Sequence, residues 1–363
     1  MLNVSRRSLI ALGAALPLFG KLDFAMASPA PALSDKVLLN YNESPYGPSL
    51  AAREAMQRGI AASGHYPYKD MYALAEVFAK QHGIADDQVL VCAGSMAVLR
   101  YAVLAFSSPE RAVVMATPTY EVPRKAAQVR KAPVHEVPLT AEHAHDIPAM
   151  LAADPAPGLI YVCNPNNPTG SITASQAIEQ ALLRKPKGSI LVVDEAYIDF
   201  CDAPSCVAWV KDHDDLLVLR TFSKLYGMAG ARLGLAIGHP ALLEQLQAFG
   251  GHNPPAVSSL LGARASLEDP GLVPERKALN TQLRDQTVAW LKSRGLTCTV
   301  SHSNCFMIDV GRPAGQVIDG LARHNVLVGR VFSAWPNWMR VSVGNAQQMQ
   351  RFREVFAQTL DTL

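Results

Sequence analysis

The most constraining feature of this chain is a series of short apolar runs, at residues 89–92, 159–162, 189–193, 216–219 and 233–238, most of them ending in a cluster of polar residues. Each run is too short for a helix and is rich in Val, Leu and Ile, so it reads as a buried strand; the longer stretches between the runs read as helical. Strands alternating with helices imply an α/β chain built on a parallel sheet, whose ligands gather at the carboxyl ends of the strands. The polar clusters therefore converge on one sheet edge.

Three of those clusters carry reactive groups. Run 216–219 leads into Arg220-Thr221-Phe222-Ser223-Lys224, with Arg232 eight residues further on; run 189–193 leads into Asp194-Glu195-Ala196-Tyr197; run 159–162 leads into Cys163-Asn164-Pro165-Asn166-Asn167-Pro168-Thr169-Gly170. Taken singly they are ordinary, since lysines are usually solvated and Pro-Thr-Gly is a common turn. Together they bring an amine, a carboxylate and an amide-bearing turn to one point. A lysine there is positioned to form an imine, and an acid beside it can keep a ring nitrogen protonated so that the ring withdraws electrons. The chemistry that needs both is that of pyridoxal phosphate.

In order and context these motifs resemble the fold-type I pyridoxal-phosphate aminotransferases, and within them the histidinol-phosphate aminotransferase branch. The resemblance runs from Asn40-Tyr41-Asn42-Glu43-Ser44-Pro45-Tyr46-Gly47-Pro48 to Arg340-Val341-Ser342-Val343-Gly344, and includes His65-Tyr66-Pro67, Thr117-Pro118-Thr119-Tyr120 and Gly230-Ala231-Arg232-Leu233-Gly234. It implies a large domain over residues 61–250 with a mostly parallel seven-stranded sheet, and a smaller α+β domain over 251–363 that residues 28–60 rejoin. A long helix is expected over 273–294, and small-domain strands over 298–300, 305–310 and 339–343.

For the site, the resemblance implies that Lys224 holds pyridoxal 5'-phosphate, that Asp194 faces its ring nitrogen, that Tyr120 stacks on the ring, and that Asn167 and Tyr197 bond its phenolic oxygen. Gly94, Ser95 and Met96 open a helical stretch whose N-terminal amides suit the phosphate. Ser223 and Arg232 add a hydroxyl and a cation, and Tyr66 reaches in from a neighbouring subunit, making the protein a homodimer. Arg340 offers a bidentate fork for a substrate carboxylate. Tyr46 is carried over as a further substrate contact, and Arg330 as the match to a second arginine that the family uses for a substrate phosphate. No metal site is implied. The reaction is ping-pong transamination between an amino acid and a 2-oxo acid.

Two features depart from the branch. Ser95-Met96 stands where an acidic pair is usual. The segment between Arg330 and Arg340 is shorter than the branch's, and Trp335 and Trp338, which occupy it, suit either an aromatic side-chain pocket or plain packing. A decarboxylase of the threonine-phosphate type, a racemase or a non-catalytic binder would share most of the cofactor residues. A dinucleotide-dependent dehydrogenase is disfavoured, because no Gly-x-Gly-x-x-Gly turn follows an early strand.

At the N-terminus, Arg6-Arg7 precedes a short apolar core, residues 11–20, and then Ala25-Met26-Ala27. A basic start, a brief apolar run and a small-x-small site describe a removable leader; the run falls short of the roughly 20 residues a membrane span needs. The paired arginines suit the twin-arginine machinery, which moves folded proteins. The expectation is a periplasmic protein cleaved after Ala27, and histidine biosynthesis, being cytoplasmic, then argues for another substrate. The 33 basic and 31 acidic residues fall to 30 of each once Arg6, Arg7, Lys21 and Asp23 are removed. A neutral chain gives no bulk charge for nucleic acid or anionic lipid.

Six cysteines show no metal spacing; Cys201 with Cys206, or Cys298 with Cys305, can bridge in an oxidising compartment, with connectivity left open. His143 and His145 read as a solvated loop. Of the bonds Asn164-Pro165 and Asn167-Pro168, one is expected to be cis, and the resemblance favours the second.

Overall fold

A computed structural model describes residues 36–363. The expected leader over residues 1–27 lies outside the described residues. Eight strands come first: β1 (Val37–Leu39), β2 (Val89–Cys92), β3 (Val113–Thr117), β4 (Val134–Pro138), β5 (Leu159–Cys163), β6 (Ile190–Asp194), β7 (Leu216–Thr221) and β8 (Gly234–Gly238). Five shorter or later ones follow: β9 (Thr297–Cys298), β10 (Cys305–Asp309), β11 (Val326–Val328), β12 (Val331–Phe332) and β13 (Trp335–Ser342).

Strands β2 to β8 form a seven-stranded sheet in the order β2-β8-β7-β6-β5-β3-β4. Only β8 runs against its neighbours, pairing antiparallel with β2 and β7, whereas β7-β6-β5-β3-β4 are all parallel. Both faces are covered, and the alternation of side chains shows it. Leu191, Val193, Leu216 and Val218 pack into one core, while Val192, Leu217 and Leu219 pack into the core on the other face. Full burial of such side chains contributes about 1.5–3 kcal/mol each, which explains why the central strands are unbroken apolar runs. The carboxyl ends of β2, β3, β5, β6 and β7 consequently lie along one edge.

A second sheet, β12-β13-β10-β9, and the parallel pair β1-β11 share a third core with the helix Ala346–Thr362, centred on Leu39, Phe306, Ile308, Phe352 and Phe356. The expected long helix is present as Leu272–Lys292. Two expected domain boundaries move. Helix Val257–Leu267 buries Leu260 and Ala263 in the core of the large sheet, and Met56 of helix Leu50–Ala61 packs there too. Gly59 permits that approach, since a Cβ there would stand 2.7 Å from the Ser258 Cα. Residues 50–60 and the start of the 251–363 segment therefore sit on the large core, because their apolar faces have their partners there.

Other expectations also change. The cis bonds are Thr117–Pro118 and Asn164–Pro165, not Asn167–Pro168; the turn holding Asn167 is set by Asn166 N–H donating to Ser171 O at 2.8 Å and Gly170 N–H donating to Asn166 O at 2.7 Å. All six cysteines are free thiols. Cys298 stands opposite Ile308 and Cys305 opposite Ser342, in separate register pairs. His145 is buried, not solvated: its Nδ1 lies 2.9 Å from Thr173 Oγ1, and its Nε2 accepts from Cys163 N–H. Burial pushes its pKa down to about 4, so it braces the end of β5 as a neutral ring. No helix among the described residues is long and apolar enough to cross a membrane.

Candidate active site

The strand ends open into a cavity of about 890 Å³ between the large sheet and the β12-β13 edge of the smaller one. Lys224, Asp194, Asn167, Tyr197, Tyr120 and Arg340 all line it, as do Ser95, Met96, Ser223, Arg232 and Arg330.

Lys224 follows β7 in a tight connection. Gly227 has φ +69°, and a Cβ there would lie 2.1 Å from Gly47 O, so this glycine lets the N-terminal segment close over the lysine. The Lys224 Nζ donates to Tyr41 O at 3.1 Å. Burial, followed by the nearby Arg340 guanidinium, lowers its pKa from the usual 10.5 to about 8. A lysine so placed is a nucleophile and base near neutral pH.

Asp194 closes β6. Its Oδ2 accepts from Tyr161 O–H at 2.9 Å and its Oδ1 from Ala196 N–H at 3.1 Å. Burial raises its pKa, opposed by the Tyr161 hydrogen bond. It makes no ion pair within 4 Å among the described residues, so a buried carboxylate faces the cavity without a cationic partner. Tyr197, at the same strand end, accepts from Asn42 Nδ2 at 3.0 Å, and burial holds its phenol protonated, ready to donate. The Tyr120 phenol is likewise pushed up to about 12 by burial and by Asp194.

One end of the cavity is built around the start of helix Ser95–Phe106. No side chain caps its N-terminus, which leaves backbone donors for a ligand. Gly94, at φ +92°, leaves room for the Arg232 guanidinium, whose Nη2 lies 2.7 Å from where a Cβ would be. Ser223 accepts from Thr221 Oγ1 at 3.0 Å. On the opposite wall, Arg340 of β13 donates from Nη1 to Asn167 Oδ1 at 2.8 Å and from Nη2 to Asn40 O at 2.6 Å, while its buried Nε has no partner. A lysine with no carboxylate partner among the described residues, an unpaired buried acid, an uncapped helix with a cation in its glycine notch, and a guanidinium with a spare donor fit pyridoxal 5'-phosphate and a carboxylate substrate.

Tyr46 and Tyr66 do not line this cavity. Tyr46 borders a separate small pocket with Leu225 and Arg276, because the turn at Gly47 carries it behind the lysine loop. Tyr66 is 85% exposed. Trp335 and Trp338 pack on each other and on His143, at 5.2, 5.0 and 5.7 Å between ring centroids; Phe332, Ile318 and Val328 supply the apolar wall instead. Arg330 reaches the cavity but its Nη2 is bound to Glu121 Oε2 at 2.7 Å. Asn42, Glu121 and Phe332 were not expected at the site; for Asn42 the positive φ of 54° is the one local oddity.

The chain belongs to the family of class I and II aminotransferases, whose model matches residues 34–356. A histidinol-phosphate aminotransferase from Symbiobacterium thermophilum is 36% identical over 333 residues, covering 90% of this chain and 91% of that protein. A solved chain from Erwinia carotovora atroseptica matches with a TM-score of 0.86 at 28% identity, covering 89% of this chain and 96% of its own. The histidinol-phosphate aminotransferase of Sinorhizobium meliloti, solved with pyridoxal-5'-phosphate, matches with a TM-score of 0.83 at 23% identity, over 89% and 90% of the two chains. This chain is accordingly a pyridoxal-phosphate-dependent aminotransferase of the histidinol-phosphate-aminotransferase-like type.

Proposed function

We propose that this aminotransferase takes an α-amino acid by its carboxylate at Arg340 and passes the amino group to a 2-oxo acid in two half-reactions at one site. The observation that carries the reading is the meeting of Lys224, Asp194 and Arg340 in one cavity, with the amine lowered to about 8. Bound pyridoxal phosphate supplies an electron sink for the charge left when the substrate's Cα loses its proton. Arg340 orients the substrate so that the Cα–H bond faces Lys224, whose neutral amine takes that proton and returns it one position along. Asp194 would hold a proton on the ring nitrogen by its charge, and Tyr197 and Asn167 would offer hydrogen-bonding groups to the cofactor. Ser95, Met96, Ser223, Gly94 and Arg232 hold the phosphate.

In a homodimer Tyr66, exposed in the single chain, completes the phosphate site of the partner. The leader directs the folded enzyme to the periplasm through the twin-arginine machinery. Replacing Arg6 and Arg7 by lysine should remove activity from the periplasmic fraction, and undiminished periplasmic activity would refute that route. The reaction itself is tested by titrating purified holoenzyme with a panel of amino acids while following its visible absorbance. The absorbance should bleach with stoichiometric oxo-acid release and be restored by a 2-oxo acid, and Lys224→Ala should abolish the change. Carbon dioxide release in place of oxo acid would point to the decarboxylase.

A further inference from the structure

The Arg330 side chain carries a partner of its own. Glu121 follows Tyr120 directly and sits at the N-terminal end of helix Val122–Arg130. Its Oε2 binds Arg330 Nη2 at 2.7 Å, and its Oε1 binds Arg124 Nη2 at 3.0 Å. Lys125 Nζ is 3.8 Å away. With both oxygens held, the carboxylate is fixed in the cavity wall. Arg330 Nη1 is also engaged, donating to Val331 O at 3.2 Å.

The Arg330 and Arg340 guanidiniums both lie over the Phe332 ring, at 4.4 and 6.0 Å from its centroid. A substrate whose carboxylate is held at Arg340 therefore runs its side chain along Phe332 toward the Arg330–Glu121 pair, past Ile318 and Val328. There it meets a cation that is already matched, and a phosphate monoester placed against Arg330 would also stand against the fixed Glu121 carboxylate. Like charges that close repel even beside a partly exposed pair, and such repulsion is a means of discriminating between ligands.

We propose that Glu121 is a specificity-determining residue: by occupying Arg330 it sets the distal subsite to amino acids with uncharged side chains and against phosphorylated ones. The proposal rests on the reading that Arg340 takes the substrate carboxylate, and it names the class of substrate for that site.

The test compares L-methionine with O-phospho-L-homoserine, both of which present the same carboxylate to Arg340, using holoenzyme and one common 2-oxo acid. Wild type should favour L-methionine in kcat/KM. In Glu121→Gln the ratio of phospho-substrate to L-methionine should rise at least about tenfold, or about 1.4 kcal/mol, through KM and not kcat. Adding Arg330→Gln should remove that gain, while Arg330→Gln alone should leave the ratio where it is in wild type. A wild-type preference for the phosphorylated amino acid overturns the proposal. So does an unmoved ratio in Glu121→Gln, or a roughly tenfold fall in the ratio for Arg330→Gln alone, which needs no folded Glu121 variant to be seen. Failure of wild type to turn over either amino acid would instead strike the carboxylate reading itself.

Discussion

At the scale of single residues, the chemistry rests on how burial changes two charged groups in opposite senses. Lys224 loses its proton more readily because its ammonium is desolvated beside Arg340. Asp194 gains one more readily because its carboxylate is desolvated without a cation. With pyridoxal phosphate bound, a protonated ring nitrogen near Asp194 would reverse the second effect, and the acid and the cofactor would stabilise each other's charge. For Lys224 the sign gives a direct prediction. With a pKa near 8, about a tenth of the amine is neutral at pH 7, against less than about a thousandth for an ordinary lysine. The rate at which cofactor-free protein captures pyridoxal phosphate should rise through pH about 8 and level off above it, and Arg340→Gln should move the inflection upward by removing a cation. Stopped-flow absorbance over a pH series measures it; an inflection near the ordinary lysine value would contradict the assignment. Lys224, Asp194 and Asn167 were legible because each closes or closely follows a strand whose apolar run is visible. Glu121, Phe332 and Asn42 were not, because what matters about them is proximity across some 200 to 300 positions of sequence, as with Glu121 and Arg330 or Asn42 and Ser342.

Among the elements, the start of helix Ser95–Phe106 is the most demanding piece of packing. Gly234 of β8 lets the sheet approach so closely that a Cβ there would lie 2.4 Å from the Ser95 amide nitrogen, and Arg232 enters from the same connection in a left-handed conformation, φ 56°. Gly94→Ala would meet both a positive φ, at about 1 kcal/mol, and the Arg232 guanidinium. The expected result is cofactor affinity weakened by about tenfold with the circular dichroism unchanged; an unaltered dissociation constant would show that this notch does not hold the phosphate. The central strands were readable because parallel strands buried on both faces are continuous apolar runs. Strand β4 lies at the sheet edge and is half exposed, so its Val-His-Glu-Val-Pro sequence gives no such signal. The tryptophans of β13 look like pocket residues in sequence; in space their partner is His143, which lies nearly two hundred positions away in the chain.

For the whole molecule, the site is closed on one side by the N-terminal segment and the small sheet, whereas Tyr66, Tyr68 and Tyr72 remain at the surface of the single chain, 85%, 38% and 56% exposed. Exposed aromatic clusters of this kind suit burial against another subunit. Sedimentation should find a homodimer at assay concentrations, and an active monomer would contradict the shared site. The α/β class and the lysine-centred site were legible from the order of the strand-end motifs. The placement of helices Leu50–Ala61 and Val257–Leu267 was not, because it depends on which core their apolar faces meet. Borohydride reduction of the holoenzyme followed by peptide mapping tests the covalent tether: a single pyridoxyl group should be found on Lys224, and an active enzyme labelled at another lysine, or at none, would contradict that assignment.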